Sequence, residues 1–232
     1  MKNFEKVMIS LSIVLFVGCG KFDDKIDCDK DAKRTIQEIN ISSLSSTTNI
    51  PPSTTIPSSI SISSVFISDV NGWTIEGDAQ GVEGVIPNFS QTNGVENSGY
   101  IYAKDDASGG TWYFIAPDKY SGDLSKFIDG KLEFYLKQES NIKKQFEDND
   151  IIIEGLLGEK IVYNYELYPT KEWTKYEIDF NVDSLWIDEN NDTASNEKIE
   201  SILSNITKIM IRGEFEDGPD IGGLDEFRLF KN

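Results

Sequence analysis

Thr174-Lys175-Tyr176-Glu177-Ile178-Asp179-Phe180 places an apolar residue at every second position. Side chains of an extended strand point alternately to opposite faces, so Tyr176, Ile178 and Phe180 share one face and Lys175, Glu177 and Asp179 the other. One buried face and one wet face mark a strand of an antiparallel sheet. Outward from this stretch, short aromatic-rich runs recur between clusters of Gly, Asn and Asp, at 100–104, 111–116, 130–138, 151–155, 160–165, 208–214 and 224–230. Short strands bounded by turn residues predict an all-β sandwich of antiparallel strands over 64–232. One short helix near 195–206 interrupts them. Ser195 can cap it, and Ile199, Ile202, Leu203 and Ile206 form an i, i+3, i+4, i+7 stripe that seals an edge or end of the sandwich.

The 232-residue chain carries 40 Asp and Glu against 22 Lys and Arg, and no histidine. A net charge of −18 is repelled by phosphate backbones, so no nucleic-acid partner is expected. The missing imidazole rules out Ser-His-Asp and Cys-His nucleophiles and His-ligated zinc. Paired carboxylates could still cleave glycosides, but no pair stands out, and the chain is expected not to be an enzyme. Cys19 and Cys28 are the only cysteines, too few for a disulfide framework. Cys28 lies among acidic neighbours that disfavour its thiolate, and it reads as incidental.

The first 18 residues have the layout of a secretory signal. Lys2 and Lys6 precede a mainly apolar run at 7–17, which is too short to span a bilayer as a helix. Leu15-Phe16-Val17-Gly18-Cys19 resembles a bacterial lipobox, with Phe16 where that motif prefers Leu. The resemblance implies cleavage before Cys19, lipidation of its thiol, and attachment to a lipid membrane through that acyl anchor. An ordinary signal peptide is the alternative. Gly20 stands where an inner-membrane retention signal would place Asp, which leans toward the outer membrane or the cell surface of a bacterial envelope. Residues 19–63 are then expected to form a disordered stalk, since 41–64 is uncharged and dominated by Ser, Thr, Ile and Pro. The alternation of Ile60 and Ile62 is also compatible with an opening strand.

An ordered series of motifs carries a family resemblance. It runs from Phe66-Ile67-Ser68-Asp69, Gly72-Trp73-Thr74 and Gly77-Asp78 through Gly99-Tyr100-Ile101 and Asp105 to Gly109-Gly110 with Trp112-Tyr113-Phe114-Ile115-Ala116-Pro117. It continues through Tyr120-Ser121-Gly122-Asp123, Gly130-Lys131-Leu132-Glu133-Phe134 and Asp150-Ile151-Ile152-Ile153. Trp173-Thr174-Lys175-Tyr176, Ile211-Arg212-Gly213-Glu214 and Asp220-Ile221-Gly222-Gly223-Leu224-Asp225 complete it. The series, covering 66–232, resembles the laminin IV type A domain, also called laminin B, in its bacterial versions. The resemblance implies a jelly-roll sandwich of the galactose-binding or carbohydrate-binding-module type. The chain departs from the pattern at Ser121, where an apolar residue is usual, and at Glu226, where Asn is frequent. It also lacks the cysteine-rich repeats that flank the domain in animal laminins, which puts a laminin-like network role in doubt.

Several residues are singled out as site candidates. Trp73, Trp112 and Trp173 read as core, with a sugar-stacking platform as the alternative. Trp186, in the polar loop Asn181-Val182-Asp183-Ser184-Leu185-Trp186, is the candidate exposed aromatic for a ligand. Asp69 and Asp225 stand near the first and last strands, which run close together in sandwiches of this type, and could hold a structural Ca²⁺. Arg212 reads as an ion-pair partner of a carboxylate, with a ligand clamp as the alternative. The acidic run 188–192 lacks the Gly and Glu of an EF-hand loop and reads as a solvated turn. Together these features predict a non-catalytic surface binding or adhesion module whose ligand is a glycan or an extracellular protein. The alternative is a structural envelope lipoprotein without a small ligand.

Overall fold

A computed structural model of the chain describes residues 59–77, 79, 85–105, 110–139 and 145–232. The expected signal peptide, Cys19, Cys28 and the stalk up to residue 58 lie outside the described residues.

The strands form two antiparallel sheets. The first is ordered β3 (Asn88–Ser90), β4 (Tyr100–Lys104), β12 (Ile221–Lys231), β6 (Lys131–Gln138) and β9 (Thr174–Asp179). The long strand β12 pairs with β6, with β4 along Ile221 to Leu224, and with β1 (Ile60–Ser64) along Phe227 to Lys231. The second sheet is ordered β10 (Ile187–Asp188), β8 (Lys160–Tyr163), β7 (Ile151–Glu154), β11 (Lys208–Arg212), β5 (Tyr113–Ile115) and β2 (Thr74–Glu76). This is the predicted jelly-roll sandwich.

The alternation in β9 does what its pattern requires. Tyr176 and Ile178 are buried between the sheets, and Lys175 and Glu177 face outward into ion pairs. Helix α1 (Asn196–Leu203) is shorter than 195–206, but Ser195 caps it by accepting the Lys198 amide at 3.2 Å. Its Ile199, Ile202 and Leu203 join the core. Ile206 lies beyond the helix, yet is also buried and pairs with Gly122.

Two expectations need correction. Strand β1 begins at Ile60, so the fold includes the last four residues that the 19–63 boundary gave to the stalk. They are held by the β12 ladder, with Ile60 opposite Lys231 and Ile62 opposite Leu229. Trp173 is not core: it lies partly exposed on the outer face of the first sheet, edge-on to Tyr100, and its Nε1 donates to the Asn93 carbonyl at 2.9 Å. Trp73 and Trp112 are fully buried, as predicted. The Trp112 ring lies so close to the backbone of Gly213 that a Cβ there would sit 1.9 Å from it.

Candidate binding cleft at the edge of the sandwich

Strand β8 is covered on one side by β10 only at Ile161 and Val162. Past that point the chain continues as Tyr163-Asn164-Tyr165-Glu166-Leu167-Tyr168 and runs beside β9, the edge strand of the first sheet. Two clefts open along this seam. One, of about 310 Å³, is lined chiefly by Tyr163, Tyr165, Leu167, Lys175 and Tyr176. The other, of about 300 Å³, is lined by Glu147, Asp148, Asp150, Asn164, Tyr165 and Tyr168, with Glu166. Tyr165 and Glu166 line both, so the two are halves of one groove.

An aromatic ladder supports the groove from beneath. Tyr163 meets Tyr165 edge-on at 4.8 Å, Tyr165 meets Tyr176 at 4.6 Å, and Tyr176 stacks on Phe134 at 5.5 Å. The Tyr176 hydroxyl donates to the Leu167 carbonyl at 3.0 Å and holds the loop down. The Tyr165 hydroxyl has no hydrogen-bond partner among the described residues. Burial raises the pKa values of Tyr163, Tyr165 and Tyr176, so the groove presents neutral phenols at physiological pH.

Arg212 fixes the other wall. Its guanidinium is fully buried and lies between the Phe146 and Phe215 rings, 4.6 and 4.4 Å from their centroids. It donates to the carbonyls of Phe146, Asp148 and Glu214 and pairs with Asp150 Oδ1 at 3.1 Å. Asp150 in turn accepts the Tyr165 amide at 2.7 Å through Oδ2, which links the clamp to the tyrosine run. Burial still pushes the Asp150 pKa up, against the pull of the Tyr165 amide and Arg212. Arg212 is therefore the buried ion-pair partner that the sequence indicated, with Nε, Nη1 and Nη2 each donating within the protein.

The groove's charge is set by Glu147, Asp148 and Glu166, because Asp150 is neutralised by Arg212. Lys175 is occupied with Glu133 at 2.7 Å and Glu177 at 3.1 Å. Neutral aromatic faces beside carboxylate acceptors suit a ligand that stacks an apolar face and donates hydrogen bonds at its edge. Arg212, Asp150, Lys175 and Tyr176 of the groove stand in the motifs read from the sequence, but Tyr163, Tyr165 and Tyr168 do not. The available signal was three tyrosines in six residues at the end of a strand.

Apart from Arg212, the candidates chosen from sequence do not line the groove. Trp186 is fully buried, a correction to its expected exposure. Its ring stacks on Phe180 at 5.7 Å and touches Tyr163, and its Nε1 donates to the Asp179 carbonyl at 2.9 Å. It thus braces the groove from below. Asp225 is also fully buried, accepting the Val95 amide and the Ser98 hydroxyl at 2.8 Å each and the Glu226 amide at 2.8 Å. These bonds tie the 94–98 loop over a bulge in β12. Asp69 is exposed and accepts the Asn71 amide at 2.7 Å within its own turn. The two carboxylates thus have separate hydrogen-bonding tasks and share no partner. Asp188 similarly accepts the Asn190 and Asp192 amides, which makes the acidic run a turn.

Two antiparallel sheets with a strand-edge groove and one sealing helix define a jelly-roll sandwich domain. A Laminin B (Domain IV) family model matches residues 113–230, just over half of the sequence, and the chain belongs to that family. Laminin-like protein lam-2 of Caenorhabditis elegans is 32% identical over 133 residues, 55% of this chain, and the match spans 8% of that protein's length. The L4b domain of human laminin alpha-2 has the same fold, with a TM-score of 0.57 at 15% identity over 75% of this chain and 98% of that one. A family 30 carbohydrate-binding module from a Clostridium thermocellum cellulosomal cellulase is a looser likeness, with a TM-score of 0.49 at 16% identity, over 73% of this chain and 96% of that one.

Proposed function

We propose that the protein is a non-catalytic, surface-exposed binding or adhesion module of a bacterial lipoprotein, and that it holds a glycan in the edge groove. The observation that carries this reading is the groove itself: Tyr163, Tyr165 and Tyr168 beside carboxylate acceptors on a wall locked by Arg212. A sugar ring offers an apolar face to a phenol and a rim of hydroxyl donors to carboxylates. Cys19 would carry the acyl anchor that holds the domain at the outer membrane or cell surface, with the lipobox-like residues 15–19 as its support.

Two measurements test the proposal on the full chain. Biolayer interferometry against a polysaccharide panel and a panel of extracellular proteins is expected to give saturable binding to a neutral glycan. Binding to proteins alone would replace the glycan with a protein ligand, and binding to neither would end the proposal. For the anchor, Cys19→Ala is expected to move the expressed protein from the membrane fraction to the soluble fraction; an unchanged membrane fraction would contradict lipidation.

A further inference from the structure

The hairpin between β7 and β8 turns on Gly155-Leu156-Leu157-Gly158-Glu159, closed by the Gly155 amide donating to the Glu159 carbonyl at 2.8 Å. Turns usually carry Gly, Asn or Asp, which reach a left-handed backbone at little cost. Here a left-handed residue is Leu157, with φ 62°. Leu156 is 54% exposed, and Leu157 buries none of its surface against the domain. The fold therefore gains nothing from the Leu157 side chain and carries the backbone strain. Two adjacent leucines on a strained, exposed tip call for an occupant outside the domain.

The tip stands at the end of the sandwich where the chain enters it. Ile60, the first residue of β1, is opposite Lys231, the last of β12. Lys231 lies against Gly130, and its Nζ donates to the Ile128 carbonyl at 2.5 Å. The single turn Ser125–Phe127 just before these residues packs on α1. Ile202 of α1 in turn covers Gly155 so closely that a Cβ there would sit 2.9 Å from its side chain. Val182, 38% exposed, belongs to the same end: it follows Asp179, the β9 residue opposite Lys131, and its amide donates to the Asn196 side chain of α1 at 2.8 Å. The segment that begins at Cys19 thus joins the domain on the side that carries Leu156, Leu157 and Val182. Of the lysines here, Lys131 is paired with Glu177 and Asp179, Lys198 with Glu159 and Glu189, and Lys231 with Asp129. Glu197 and Glu200 are exposed on α1.

We propose that this end of the sandwich rests on the lipid bilayer, with Leu156 and Leu157 seated at the boundary between headgroups and acyl chains. The proposal rests on the Cys19 anchor proposed above and adds the orientation of the domain. Leucine side chains gain free energy by leaving water for that boundary. An anchor that leads into this end keeps the tip near the bilayer, so the contact is intramolecular and a weak apolar interaction suffices. The paired lysines and the exposed glutamates offer little attraction to anionic headgroups, so the contact is apolar and insensitive to salt. Strand β8 starts at Lys160 beside the tip, and the groove residues Tyr165 and Tyr168 lie past its other end. With the tip on the membrane, this part of the groove is on the side turned away from it.

The test uses the full lipidated chain with Cys28→Ser, reconstituted in phosphatidylcholine vesicles. Lipidation occupies the Cys19 thiol, so a nitrobenzoxadiazole dye goes only to an introduced cysteine. Leu157→Cys carries it at the tip, and Leu167→Cys is the control, since Leu167 is 75% exposed and lies past the other end of β8. Vesicle flotation reads the anchor separately. The dye at 157 is expected to shift to the blue on reconstitution and to be quenched by nitroxide-bearing lipid, equally in low and high salt, while the dye at 167 does neither. Protein that floats with an unshifted dye at 157 would overturn the inference and leave the anchor standing. Protein that does not float would overturn the anchor and the orientation with it. Equal quenching at both positions would overturn the orientation, and a blue shift at 157 without lipid quenching would make a second copy of the chain the occupant instead. In detergent solution, Leu157→Asn should melt no lower than the unaltered protein; a lower melting temperature would give Leu157 a role in the fold and overturn the inference.

Discussion

Replacing Arg212 with methionine keeps most of the buried volume and removes every donor of the clamp. Asp150, 4% exposed, then loses its cation, the one it pairs with among the described residues, and the carbonyls of Phe146, Asp148 and Glu214 each lose a donor. Removing one partner of a buried pair costs about 3–5 kcal/mol. The three orphaned carbonyls put Arg212→Met at the upper end of that range, enough to remove much of the stability of an ordinary domain. Denaturant unfolding followed by circular dichroism reads the loss as a lower midpoint at unchanged slope. Adding Asp150→Leu to Arg212→Met removes the stranded charge, so the double variant should recover part of the loss. The deficit of the single variant also depends on pH. A stranded, buried Asp150 has a folded pKa above its unfolded value, so the variant loses stability as pH rises through that folded value; its deficit is larger at pH 8 than at pH 4.5. A loss below about 1 kcal/mol, the range of an exposed pair, would refute the reasoning, as would a double variant no better than the single one.

Other positions give equally direct outcomes. Gly213→Ala forces a methyl group to within 1.9 Å of the Trp112 ring and should cost about 3 kcal/mol or prevent folding, whereas Gly110→Ala, with open space around it, should shift the melting temperature little. Trp186→Ala should cost about 3–5 kcal/mol in denaturant unfolding, since the indole is fully buried; a change under about 0.5 kcal/mol would mean a solvent-exposed ring. Burial raises the folded pKa of Asp220 to about 7, so the stability it contributes is present at low pH and is lost as pH rises toward and through 7. Melts from pH 4.5 to 8 should show that slope in the unaltered protein, and a flatter one in Asp220→Asn.

Much of the fold is legible in local pattern, because a two-residue period and a capped i, i+3, i+4 stripe are local properties. Residues 174–180 reveal their buried face directly, and Ser195 with Ile199, Ile202 and Leu203 marks the helix. Strands β2, β3 and β10 are too short, at two or three residues, to display any alternation. Trp186 misleads because its neighbours are polar. Leu185 takes a left-handed conformation with φ 59° and is exposed, while the next side chain goes into the core. The groove is harder still to read. Its walls come from the end of β8, the 146–150 segment and β9, which meet only when the two sheets pack.

The groove faces its sharpest test in a double variant, Tyr163→Ala with Tyr168→Ala, run on the same polysaccharide panel as the unaltered chain. Both tyrosines are partly exposed on the groove, so the variant should stay folded by circular dichroism. The unaltered protein is expected to bind a neutral glycan and the double variant to lose at least tenfold in affinity, about 1.4 kcal/mol. A folded double variant that binds the same glycan with unchanged affinity would contradict it, and would move the binding surface away from the edge of the sandwich.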